Sequence, residues 1–204
     1  MVGDAHLRLR RAAEQTMAMP LAAERVWTAD DVRALPDDPH NRYECVDGVL
    51  LVSPSPRRSH QQCVTALSAA LFVYAMRTRV GSVIVAPSDV ELDARTLVEP
   101  DIYIVPLVDN RFPRNEDVEE TPILVVEVLS TSTRRHDQVV KRPRYQRAGI
   151  ECWLVDLESR QVERWMPTAD RPDVLVDELT WHPADAPDAF HLSLSAFFAM
   201  VLGD

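Results

Sequence analysis

Residues 123–129 read Ile-Leu-Val-Val-Glu-Val-Leu, an apolar run interrupted once, by Glu127. Seven residues rich in β-branched valine and free of turn formers predict a strand buried on both faces. An ionised carboxylate buried there without a partner would cost several kcal/mol, so Glu127 needs a cation, a metal ion or a water-filled strand end beside it. The run is followed by Ser and Thr at 130–133, where residues 131–133 can cap a helix that continues to Arg147 and stops at Gly149. Residues 152–156 and 161–166 are two more strands, the second more exposed. Residues 170–189 form an acidic, proline-rich connection, and 194–202 a short apolar helix.

Upstream of Glu127 the pattern is equally segmented. Thr28 is placed to cap a short helix, with Asp31 as its box partner three residues on, and that helix ends by Pro36. Residues 43–46 and 49–52 flank Asp47-Gly48, a two-residue hairpin signal. A Pro/Ser loop at 53–59 leads into a helix over 59–79, capped by Ser59 and stopped by Gly81. Strands follow at 82–86, 90–92 and 101–105, then an acidic surface loop at 110–121. The order predicts one mixed α/β domain over residues 25–204, with helices on either side of one sheet. Residues 1–24 read as a separate N-terminal arm.

Composition narrows the class. With 204 residues, 46% of them hydrophobic, the chain can bury one substantial core. No run of about 18 apolar residues is present and residues 1–19 lack a signal-peptide core, so a cytoplasmic protein with no membrane association is expected. Cys45, Cys63 and Cys152 are scattered and form no CxxC pair, which argues for small core residues rather than a disulfide framework or a zinc site. A net charge of −10 excludes a general nucleic-acid coat protein. The arginines nevertheless gather at 57–58, at 134–135 and at 142–147, around the Glu127 segment. Lys141 is the one lysine in a chain that otherwise writes its cations as arginine, which suggests a need for a compact ammonium group at that position.

Asp101, just after Pro100 and before Ile-Tyr-Ile-Val, is a second acid at the edge of an apolar strand. If its strand neighbours that of Glu127, the two carboxylates converge on one hard divalent cation; the alternative is a pair of hydrogen-bonded acids at strand ends. Asp137, Lys141 and Tyr145 lie at i, i+4 and i+8 on one helix face. That stripe can point at the carboxylates or be a solvated ion pair beside a packed aromatic. Pro143 removes a helical hydrogen bond to Val139 and predicts a kink close to Lys141.

Other candidates have simpler explanations. Asp89, Glu91 and Asp93 share one face of a strand that reads as solvent-facing. His136 and Asp137 are adjacent on a helix and point apart, and Trp153 lies in a core strand. No glycine-rich phosphate loop, nucleophile elbow or HExxH is present.

An ordered set of short motifs does carry a resemblance. Tyr43-Glu44-Cys45-Val46-Asp47-Gly48, Ser53-Pro54-Ser55-Pro56 with His60, Pro100-Asp101, Val126-Glu127-Val128-Leu129-Ser130, Asp137 with Lys141, Tyr145, Ala148-Gly149-Ile150 and Trp153-Leu154-Val155-Asp156 resemble the Uma-two family of restriction endonucleases. That family is a branch of the PD-(D/E)XK nucleases, and the likeness spans roughly residues 28–166. It implies a restriction-endonuclease-like mixed central sheet flanked by helices, with an N-terminal hairpin extension. It also implies a magnesium-dependent endodeoxyribonuclease, with manganese as a substitute, that acts on DNA.

By the same resemblance Asp101 and Glu127 would hold the metal, joined by the carbonyl of Val128. Lys141 would be the catalytic lysine and Glu44 an added metal or water ligand, while His60 would contact phosphate or simply face solvent. Leu129 stands where the superfamily's Glu-X-Lys places its lysine, so the ammonium would have migrated to the next helix. Arg57, Arg58, Arg134 and Arg135 would meet the DNA backbone. A homodimer is expected through the 194–202 helix and the 161–166 strand. The competing readings are an inactive DNA-binding or protein-interaction module on the same fold, and a hydrolase of another phosphate ester.

Overall fold

The computed structural model describes residues 25–114, 121–184 and 186–204. The expected N-terminal arm and part of the acidic loop lie outside them. The order is α1 (Ala29–Arg33), β1 (Asn41–Val46), β2 (Val49–Pro54), α2 (Arg58–Thr78), β3 (Ser82–Val85), β4 (Val90–Asp93), β5 (Thr96–Val98), β6 (Ile102–Val105) and β7 (Leu124–Leu129). A π-helical segment (His136–Lys141) runs into α3 (Arg142–Arg147), followed by β8 (Glu151–Asp156), β9 (Gln161–Trp165), β10 (Asp173–Leu175), β11 (Glu178–Trp181), β12 (Phe190–Ser193) and α4 (Leu194–Leu202).

The mixed α/β class holds, but the strands divide into three sheets rather than one. Six form the central sheet in the order β10-β9-β8-β7-β6-β3, with β7 and β8 parallel and the other pairs antiparallel. Every residue of β7 and β8 is buried, as a central parallel pair covered on both faces requires. The hairpin β1–β2 turns on Asp47 and Gly48, both at positive φ, and joins β5 and β4 in a second, four-stranded sheet. Strand β5 was not anticipated. Strands β10 and β11 lie in the stretch expected to be an irregular acidic connection; the β11–β12 ladder buries Leu179, Trp181 and Phe190, an alternation masked by the Asp and Pro residues around it.

Two helix ends differ from expectation. Arg57, not Ser59, is the N-cap residue of α2, and no side chain caps that end. At the other end the left-handed residue is Arg79, at φ 59°, rather than Gly81. Gly81 is required for another reason: a Cβ there would meet the Val105 carbonyl oxygen at 2.2 Å as the chain enters the sheet. The capping box of Thr28 and Asp31 forms as read.

The helix after β7 is capped by Ser130, whose Oγ accepts the Thr133 N–H, rather than by residues 131–133. Pro143 expresses itself as the π-helical segment just before α3. With no N–H on Pro143 to bond Val139, the helix widens by a residue, and the Arg142 N–H bonds the Asp137 carbonyl instead.

Side chains alternate across the central sheet. Leu124, Val126 and Val128 of β7 join Trp153 and Val155 of β8 in a core with α2, α4, Trp181 and Phe190. Val125, Leu129, Cys152 and Leu154 face the opposite side, with Tyr145, Val46 and Leu51. The three cysteines are buried and free, as small core residues. No described helix is long and apolar enough to cross a membrane. Of the two surfaces expected to support a homodimer, α4 buries Leu194, Phe197, Phe198 and Val201 in the chain's own core and leaves Met200 exposed, and β9 lies between β8 and β10.

Candidate active site

Position 127 alternates with Val126 and Val128, so Glu127 points to the hairpin side of the sheet. One residue beyond the β6–β7 ladder, where Ile102 pairs with Val126, Asp101 stands across from Glu127. Both acids lie at the floor of a pocket of 580 Å³ whose walls are the loop after β2, the first turn of α2 and residues 129–134. Glu44, Asp137 and Lys141 complete that floor. Asp101, Glu127 and Lys141 are 4%, 1% and 3% exposed, so their charges must be satisfied by one another or by something that enters the pocket.

Lys141 reaches three acids. Its Nζ lies 3.0 Å from Glu127 Oε1, 3.0 Å from Asp137 Oδ1 and 3.2 Å from Glu44 Oε1. The pair with Asp137 is the i,i+4 contact read from the sequence, buried rather than solvated. Burial opposes charge on Lys141, but Asp137, Glu127 and Glu44 outweigh it and hold the ammonium protonated well above its ordinary range. Tyr145, the third member of the stripe, donates from its hydroxyl to Glu127 Oε1 at 2.7 Å.

The two opposed acids experience different surroundings. Burial raises the Glu127 carboxyl to about 8; Lys141 opposes this, while Asp137, Asp101 and Glu44 add to it. Burial also pushes Asp101 upward, but the bond and charge of His60, the Arg42 guanidinium and the Val128 amide outweigh it and hold Asp101 below the usual range. Asp101 Oδ2 accepts from the Val128 N–H at 2.8 Å and lies 3.0 Å from His60 Nε2, and its Oδ1 lies 3.4 Å from Arg42 Nη1. Burial thus works against both anions, but the donors around Asp101 hold its carboxyl down while Glu127 is pushed up.

Among the described residues no three acid, histidine or cysteine side chains form a ready metal cage. The donor set still fits a hard divalent cation. Magnesium commonly takes one or two carboxylates and fills its remaining positions with water and phosphate oxygen. Here Asp101 and Glu127 line an open pocket, and the crowding of Glu44, Asp101, Glu127 and Asp137 around Lys141 leaves negative charge that a cation would neutralise.

The remaining expected residues divide by position. Arg57 and His60 line the pocket at the start of α2, and His60 Nδ1 is buried without a hydrogen-bond partner among the described residues. Arg134 also lines it but is committed to Asp156 by two bonds, at 2.8 and 3.0 Å. Arg58 and Arg135 are exposed and lie outside the lining. The arginines of 142–147 turn elsewhere: Arg142 stacks on Trp165 and Arg144 pairs with Asp47. Glu44 is occupied by Lys141 and by the Glu99 N–H, which donates to its Oε1 at 2.8 Å. Sequence reasoning overlooked Arg42, although its i,i+2 spacing from Glu44 on a strand puts both on one face.

The model of the Uma2 family, described as "Putative restriction endonuclease", matches residues 29–195. This chain belongs to the Uma2 family. Among solved structures it is similar to the crystal structure of a "putative nuclease belonging to DUF820" from Anabaena variabilis, with 21% identity, a TM-score of 0.66, and coverage of 86% of this chain and 99% of that one. At that identity the likeness concerns the fold. No curated protein matches. The Uma2 match covers every acid of the pocket floor and Lys141.

Proposed function

We propose that this Uma2 protein is a magnesium-dependent endonuclease that hydrolyses DNA phosphodiester bonds. The observation that carries the reading is the meeting of Lys141 Nζ with Glu127 at 3.0 Å on the floor of the pocket that Asp101 also lines. The family description and the nuclease-like fold support the same class. A divalent cation held by Asp101 and Glu127, with the Val128 carbonyl as a further ligand, would polarise the phosphate and acidify a bound water. Manganese would substitute, being equally suited to oxygen donors.

The chain's own groups have distinct parts in this reading. Lys141, fixed as a cation, stabilises the negative charge that builds on the phosphate. Glu44 and Asp137 hold its ammonium in place, and Tyr145 orients Glu127. Arg57 faces the substrate phosphates from the start of α2, and His60 would reach one only by giving up its contact with Asp101. Arg134 meets the DNA backbone only by giving up its bonds to Asp156, and Arg58 and Arg135 act outside the pocket, on flanking phosphates.

The test is incubation of the protein with plasmid and with single-stranded DNA in magnesium, manganese or EDTA, beside Asp101→Ala and Lys141→Ala. Metal-dependent cleavage that both variants lose is the expected result. One observation favours a second reading, an inactive module: Lys141 and Asp101 already find partners within the chain. Absence of both cleavage and calorimetric magnesium or manganese binding would select it.

A further inference from the structure

Between β5 and β6 the chain passes through Glu99-Pro100-Asp101, outside both strands. Pro100 has no N–H, so the polar groups of this link need partners from elsewhere. The hairpin supplies them. Glu44 Oε1 accepts the Glu99 N–H at 2.8 Å, and Arg42 Nη1 donates to the Glu99 carbonyl at 2.9 Å. Arg42 also reaches the Glu99 carboxylate through Nε at 2.7 Å and approaches Asp101 Oδ1 at 3.4 Å. Alternate residues of β1 thus hold both backbone groups of the residue two before Asp101. Glu44 extends the same network to Lys141.

We propose that Arg42 is a positioning residue for Asp101, and that the inner face of β1 sets the separation of the Asp101 and Lys141 halves of the site. This rests on the nuclease reading only for its effect on cleavage. The physical basis is the planar guanidinium, which grips the Glu99 carbonyl, the Glu99 carboxylate and Asp101 together; a lysine ammonium cannot reproduce that fork. A shift of about 1 Å in a reacting group can cost up to ~100-fold in rate.

The test compares Arg42→Ala, Arg42→Lys and a control at Arg171, an exposed residue between β9 and β10 that does not line the pocket, Arg171→Ala. In Arg42→Ala, kcat should fall about 10- to 100-fold while KM for DNA changes less than about threefold. Arg42→Lys should recover part of the loss, and millimolar guanidinium should restore part of it in Arg42→Ala but not in wild type. The Val128 amide proton, which donates to Asp101, should move upfield in Arg42→Ala and stay in place in Arg171→Ala. Wild-type kcat in Arg42→Ala, or an unmoved Val128 resonance, would overturn the proposal. The resonance reports positioning even if the wild type cleaves no DNA, so failure of this inference is separable from failure of the nuclease reading.

Discussion

The two faces of the central sheet are built on opposite plans. Toward α2 and α4 the sheet packs an apolar core, in which Trp153 lies against Trp181 and Phe190 with ring centroids 5.8 and 6.4 Å away. Toward the hairpin the same strands deliver Asp101, Glu127 and Asp156 to the edge of a pocket, where they meet Lys141, Arg42 and Arg134. One face holds the strands together through area removed from water; the other adds to its own apolar cluster a set of charges that must be balanced pair by pair. Residues adjacent in sequence, such as Val126 and Glu127, therefore serve different ends, and substitutions on the two faces should fail differently.

The largest separation is expected for Asp101→Asn. Loss of one anion from the hairpin face should reduce cleavage at least ~10³-fold, about 4 kcal/mol of barrier, while the melting temperature stays within roughly 4 °C of wild type. Activity assays beside thermal melts check it; a collapse of stability in step with activity would erase the division between the faces.

Trp153→Ala should do the reverse, costing about 3–5 kcal/mol of stability while the folded fraction keeps its kcat. Denaturant titration with activity normalised to folded protein makes the comparison. Lys141→Met should fail in both respects, because it leaves Glu44, Glu127 and Asp137 without their common cation; a loss of about 3–5 kcal/mol is expected. Adding Glu127→Gln to that variant should return part of the stability, a coupling that a double-mutant cycle measures.

A smaller effect concerns pH. The folded-state pKa of Glu127 is raised from 4.5 to about 8, so its proton favours the fold at low pH. That contribution is complete below about 4.5 and is lost as pH rises through about 8. Glu127→Gln, which mimics the protonated acid, should therefore raise the melting temperature in EDTA at pH 8.5, by roughly 3–6 °C for a gain on the order of 1–2 kcal/mol. Magnesium should narrow the difference by stabilising wild type. Asp101 has the opposite sign: its lowered pKa contributes stability that is lost as pH falls below the carboxylate range. The smallest effect is expected for Arg58→Ala, less than about threefold on cleavage, since Arg58 lies outside the pocket.

Much of the layout was legible in the sequence because local chemistry dictates it. Glu127 announced itself as a lone acid in a buried strand, Asp47-Gly48 as a turn, and Asp137, Lys141 and Tyr145 as one helix face. Arg42 was not legible as part of the site because its partners, Glu99 and Asp101, are 57 and 59 residues away in the chain. Nor could the arginines be sorted in advance: Arg134, Arg142 and Arg144 look alike in sequence, yet each is claimed by a different neighbour.

The sequence by itself determined which residues had to be buried and which of those carried charge, since periodicity and side-chain chemistry are local properties. Only the tertiary structure decided which charges meet. Pairing β6 with β7 sets Asp101 across from Glu127, the π-helical turn before Pro143 brings Lys141 to them, and β1 ties the two sides through Glu99. Such contacts depend on register and on where distant strands cross, because charge–charge and hydrogen-bond energies act over a few ångströms of space rather than along the chain.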